Sequence, residues 1–252
     1  MLALRKRTQS EGNRLNKVTI DRRFNGPPDS GNGGYVCGAF VVAANADLRV
    51  RLRVPPPLGM PLSVKRGEAG EWLLDSETET VAVGTAAKLD LEVPRPPPYT
   101  KAVWASQHSA GFREHAFPTC FVCGPHRRRG DGLRIFPGML DTGVVAAPWL
   151  PADSLAGGNG KVAVEFLWAA LDCPGYFAVS GGRRTMVLGE MQAHVDRSVH
   201  LGEPCTVIGW RIGTEGRRHF AGTAVFDEDG ELCARARATW VEINPPTGTS
   251  PG

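Results

Sequence analysis

Residues 161–179, KVAVEFLWAALDCPGYFAV, are the longest nearly all-apolar run in the chain, and any fold must hide them. From Val162 to Cys173 only Glu165 and Asp172 carry charge, so the run lacks the narrow apolar stripe that lays a helix on a surface. It predicts a helix buried on most sides, too short and too acidic to span a bilayer. Gly157-Gly158-Asn159-Gly160 breaks the chain before it, and Pro174-Gly175 supplies a stop or kink near its end. Glu165 and Asp172 stand seven apart, about two turns, and so share a helix face. A carboxylate in such a helix is costly unless it is paired or solvated. A helix-end carboxylate facing water and a functional acid are both open readings.

The remaining sequence must supply the wrapping for that helix. A hydrophobic share of 42% over 252 residues suffices for a sizeable core, in one large domain or two ordinary ones. The net charge of +3, with no basic run interleaved with aromatics, gives no support for a nucleic-acid partner. The opening residues hold too short an apolar run for a signal peptide, and residues 245–252 read as a disordered tail. Six cysteines without a secretory signal read as reduced thiols in a cytoplasmic protein with no membrane partner.

In order, residues 17–24 form a short strand and residues 25–32 a turn-rich segment. Residues 33–44, which start on Gly33-Gly34, tilt towards a helix, although their β-branched content allows a strand. Residues 48–54 alternate as LRVRLRV, a strand with one apolar face. Strands at 61–66, 71–77 and 81–93 follow. The Pro-rich spacer at 94–98 leads into a connection with a short helix within 99–112 and the pair Cys120–Cys123. Such a long connection marks a boundary. The second half repeats the order: strands at 133–136 and 144–150, the apolar helix, then strands at 185–195, 206–212, 219–226 and 232–243. Residues 58–64, LGMPLSV, match residues 201–207, LGEPCTV, at four of seven places. The expected division is 1–98, 99–131 as linker, 132–244, and the tail.

A long apolar helix wrapped by an antiparallel meander, present twice, resembles the hotdog pattern. The glycine pair at 33–34, Asp172, and Cys120-Phe121-Val122-Cys123-Gly124 followed by Gly132-Leu133 make the chain similar to the double hotdogs of the acyl-CoA thioesterase superfamily. The resemblance implies an α+β fold of two repeats, each a long central helix wrapped by an antiparallel sheet. It also implies an active site where the two units meet, with a carboxylate from one helix and a backbone N–H from the start of the other. Transferred to this sequence, the carboxylate is Asp172 and the helix start is Asn32-Gly33-Gly34, with Asn where the family usually has His. Val42 and Val164 stand at the complementary positions, so one of the two sites is expected to be dead. Helix-start N–H groups and the dipole can polarise a thioester carbonyl, and the acid can serve as base or nucleophile. Bland alternatives remain: Gly33-Gly34 as close packing, Asn32 as an N-cap, and Asp172 as an acceptor beyond a broken helix.

Arg127, Arg128 and Arg129 are candidates for the phosphates of coenzyme A, although a solvated basic turn explains them equally. Tyr35, Glu165 and Trp168, on the two helices, join them as substrate-binding candidates. His115, Cys120, Cys123 and His126 have a spacing that zinc could use, but four ligands within twelve residues would be cramped. Free thiols, no metal and no cofactor are therefore expected. The predicted activity is hydrolysis of an acyl-CoA or related thioester. The alternative is a non-catalytic acyl-CoA or fatty-acyl binding protein, and either is compatible with a homo-oligomer of double-hotdog units.

Overall fold

Apolar alternation and turn residues produce the expected strands almost throughout residues 16–158, 160–181 and 184–243, which the computed structural model describes. The tail expected at 245–252, together with Asn159 and Arg183, lies outside the described residues. The first half runs β1 (Asn16–Thr19), α1 (Gly33–Ala44), β2 (Leu48–Leu52), β3 (Pro61–Arg66), β4 (Trp72–Asp75) and β5 (Thr80–Ala86). The connection carries α2 (Tyr99–Gln107). The second half runs β6 (Gly138–Met139), β7 (Val145–Trp149), α3 (Val164–Ala170), α4 (Cys173–Ser180), β8 (Met186–Val195), β9 (Cys205–Glu215), β10 (Arg218–Phe226) and β11 (Leu232–Glu242).

All eleven strands belong to one antiparallel sheet, in the order β1-β3-β4-β5-β2-β8-β11-β10-β9-β7-β6. Outward from the middle, β2-β5-β4-β3-β1 on one side is matched by β8-β11-β10-β9-β7 on the other. The two sides join where β2 pairs with β8, Val50 opposite Met191. At this seam Arg51 reaches Glu190 at 2.9 Å on an exposed surface, a pair of the kind that contributes little to stability.

Four expectations are corrected. The strand expected at 81–93 ends at Ala86, and residues 87–98 run on to α2 without regular structure. The 161–179 run is two helices rather than one long one. Pro174 has no N–H to give the carbonyl four residues back, so regular bonding stops ahead of it and α4 restarts at Cys173. The Asp172 amide turns instead to Ala169 O at 3.1 Å, and the Thr223 hydroxyl, from β10, donates to the Leu171 carbonyl at 2.8 Å. Residues 133–136 are not a strand: the Leu133 and Ile135 amides bond the carbonyls of Phe121 and Val122, and Arg134 takes a positive φ of 56°. The expected strand at 17–24 closes early, because residues 22–24 form a single 3-10 turn capped by Asp21.

The connection is packed into the fold. Its α2 covers the outer face of the second-half sheet, where Ala102 packs with Ala146, Ile208, Ala224 and Phe226. That is why β7, VAAPW, is buried on both faces instead of alternating. Phe121 enters an aromatic box with Phe24, Tyr35 and Phe166, in which Phe24 stacks on Tyr35 at a centroid distance of 4.2 Å. Both halves and the connection meet in this box.

Candidate active site

The site begins with the way α1 approaches α3. A Cβ on Gly34 would fall 2.6 Å from both Asp172 Cβ and the Trp168 carbonyl oxygen, and one on Gly38 would fall 2.8 Å from Glu165 Cα and Trp168 Cβ. Glycine one turn after glycine lets the two backbones touch. Because Gly34 meets Asp172 while Gly38 meets Glu165, the helices run antiparallel, and the start of α1 faces the break between α3 and α4. The same register puts the opposite end of the contact near Val42 and Val164, both of which are exposed.

Asp172 is 2% exposed. Its Oδ2 accepts from Asn32 Nδ2 at 2.7 Å and from the Gly34 N–H at 3.0 Å. Asn32 also caps α1, its Oδ1 accepting from the Tyr35 N–H at 3.0 Å. One side chain therefore satisfies an orphan helix amide and grips a carboxylate from 140 residues away. The other carboxyl oxygen, Oδ1, has no hydrogen-bond partner among the described residues. Burial pushes the Asp172 carboxyl up to about 7, and the nearby Cys120 sulfur adds to this, while the Gly34 N–H and the Asn32 amide pull it down. A buried acid held by two donors on one oxygen, with the other left unpaired, has the chemistry to transfer a proton or to attack a carbonyl.

A cavity of about 510 Å³ opens beside this carboxylate. Its walls are chiefly apolar, from Leu52, Val54, Met186, Leu188, Trp240 and Ile243. Polar lining comes from Asn32 and Asp172, and also from His115, Cys120, Cys123 and Cys173. Gly33, the first residue of α1, lines it too, and its amide belongs to the helix-start set that has no acceptor within the helix.

The structure thus brings Asn32, Gly33, Gly34 and Asp172 together. It places the other candidates elsewhere. Tyr35 is buried in the aromatic box, Trp168 packs under Gly38, and Glu165 stands beside them at the helix contact; none lines the cavity. Arg127 is a clamp within its own loop. It donates to the carbonyls of Thr119 and Arg23 and to Asn25 Oδ1, and pairs with Asp131 at 3.0 Å, so its guanidinium is spent on protein. Arg128 and Arg129 are exposed and away from the cavity. Arg53 is the exposed cation that does line it. Sequence reasoning missed Arg53, His115 and Cys173 as cavity residues; the strict alternation of LRVRLRV puts Arg53 on the outward face but says nothing of a cavity rim.

Among the described residues no helix is long and apolar enough to cross a membrane. No protein-family model matches the chain, and no curated protein does either. Among solved structures, the tesB protein of Mycobacterium avium subspecies paratuberculosis matches over 90% of this chain and 92% of its own, with 11% identity and a TM-score of 0.57. A thioesterase superfamily protein matches at 20% identity and a TM-score of 0.41, over 44% of this chain and 54% of its own. The Escherichia coli PaaI protein matches at 13% identity and a TM-score of 0.42, over 45% of this chain and 82% of its own. The two shorter matches span less than half of the chain and add nothing to the full-length one. In fold the chain is similar to the tesB protein over nearly the full length of both.

Proposed function

We propose that the protein hydrolyses an acyl thioester, with coenzyme A as the carrier, and that Asp172 activates the water. In this reading residues 1–98 and 132–244 are two hotdog units joined by 99–131, and only one of the two helix-pair ends keeps a working site. The observation that carries the proposal is the carboxyl at the α3–α4 break: Oδ2 fixed by Asn32 and Gly34, Oδ1 unpaired, in the wall of an apolar cavity. Two donors on Oδ2 orient the group, and Oδ1 remains to accept a proton from water. The hydroxide adds to the thioester carbonyl carbon, and negative charge gathers on the carbonyl oxygen. The family resemblance gives that oxygen a backbone N–H from the helix start; the Gly34 N–H is engaged by Asp172 here, so the Gly33 amide takes that role at the positive end of α1. Collapse breaks the C–S bond, and the proton held by Asp172 passes to the departing sulfur, giving free acid and thiol. An acid near 7 suits this cycle because it can both take and return a proton near neutrality. The apolar walls take the acyl chain, and Arg53 at the cavity is the cation placed for carrier phosphates.

The test is Asp172→Asn against a panel of acyl-CoAs, with released thiol measured and the fold checked by circular dichroism. Asn keeps an acceptor for both donors at nearly equal volume, so a folded variant is expected with turnover down by about 10²-fold or more. A folded variant that hydrolyses at near-parental rate would remove Asp172 from the mechanism. A parent inactive on every acyl-CoA that nonetheless binds one would make this a binding protein.

A further inference from the structure

Beside the carboxylate the fold gathers three thiols that the proposed hydrolysis does not use. Cys120 and Cys123 come from the loop that follows α2, and Cys173 opens α4. Their sulfur atoms all lie within 4.8 Å of one another. Cys120 Sγ is 3.7 Å from Cys173 Sγ. A disulfide would need roughly 2.05 Å, whereas a zinc ion with Zn–S bonds of about 2.3 Å sets tetrahedral sulfurs roughly 3.8 Å apart. The observed spacing fits the metal. Cys37, Cys205 and Cys233 are buried outside the cluster and behave as packing residues.

The N–H groups around these sulfurs point the same way. Asn32 Nδ2 stands 3.9 Å from the Cys120 sulfur. His115 Nε2 is 3.2 Å from Cys123 Sγ. The Phe117 amide donates to His115 Nδ1 at 3.0 Å, which leaves the neutral ring's proton on Nε2, directed at that sulfur. Donors turned towards sulfur are the outer contacts that orient metal ligands.

We propose that Cys120, Cys123 and Cys173 bind one zinc ion, with His115 as a donor to Cys123 and the fourth coordination position open to the cavity. Thiolates select a soft or borderline ion such as zinc over magnesium or calcium. All three cysteines line the cavity, so the ion has an entry path. The Cys-x-x-Cys pair, too small a set by its own spacing, is completed by a residue fifty places on in the chain. The ion ties the 120–123 loop to the residue that follows Asp172 and so braces the helix break.

The experiment titrates the reduced, chelator-stripped full chain with Co²⁺ and then Zn²⁺. One equivalent of Co²⁺ should bind with a near-ultraviolet thiolate-to-metal charge-transfer band, be displaced by Zn²⁺, and raise the thermal midpoint. Cys173→Ser and Cys123→Ser should each weaken binding at least tenfold and diminish that band. Cys205→Ser and His115→Ala should keep the one-to-one stoichiometry. A folded, reduced parent that takes up no ion overturns the proposal, and this measurement depends on no variant folding. Uptake with an unchanged band in Cys173→Ser overturns it as well.

Discussion

Gly34→Ala adds one methyl group at the tightest point of the α1–α3 contact. Its Cβ would sit 2.6 Å from the Trp168 carbonyl oxygen and from Asp172 Cβ. Comfortable contact needs about 3.5 Å, so the helices must part by roughly 1 Å at this level. Neither neighbour is the free end of a flexible side chain, so backbone has to move. The 3.0 Å bond from the Gly34 N–H to Asp172 Oδ2 would stretch to about 4 Å and be lost. Over-packing costs about 1–3 kcal/mol, and a hydrogen bond to a charged or partly charged group contributes about 1.5–3 kcal/mol. Alanine returns at most about 1 kcal/mol of helix propensity, and less in a first turn. The balance is a loss of about 1.5–5 kcal/mol, with turnover reduced because Asp172 keeps only one of its two donors. Urea unfolding followed by tryptophan fluorescence gives the stability, and acyl-CoA hydrolysis on the same samples gives the turnover. A Gly34→Ala protein within about 0.5 kcal/mol of the parent would refute the packing argument.

Thr223→Val nearly preserves volume but removes the hydroxyl that donates to the buried Leu171 carbonyl at the helix break. It should cost about 1–3 kcal/mol in denaturant unfolding, and a change below about 0.5 kcal/mol would show that the carbonyl finds another donor. Glu165→Gln, two turns from Asp172 and outside the cavity, should leave kcat/KM for thioester hydrolysis within about threefold of the parent. A loss approaching that of Asp172→Asn would place Glu165 in the chemistry.

The sequence alone determined many of the local elements. The glycine-flanked apolar run from Gly33 tilted towards a helix and forms one, and the alternation at 48–54 marked a strand, which covers Leu48–Leu52. These features are legible because a glycine break and a two-residue period act over a few positions. The sequence also singled out Asp172, since an acid in an apolar run needs a partner, but it could not name the partner. Asn32 lies 140 residues away, and only the antiparallel seating of α1 on α3 brings its amide to 2.7 Å from the carboxylate. The same limit explains the corrections. The break at Asp172 depends on Thr223 from a distant strand as well as on Pro174. Residues 133–136 have the apolar content of a strand, yet the Leu133 and Ile135 amides are satisfied by the 121–122 loop instead of a sheet neighbour. Arg127 in a basic triplet looks like an anion site until its donors are found committed to Thr119, Arg23, Asn25 and Asp131. Hydrogen-bond capacity and hydrophobicity belong to a residue, but the partners that consume them are chosen by packing, and packing is a property of the whole folded chain.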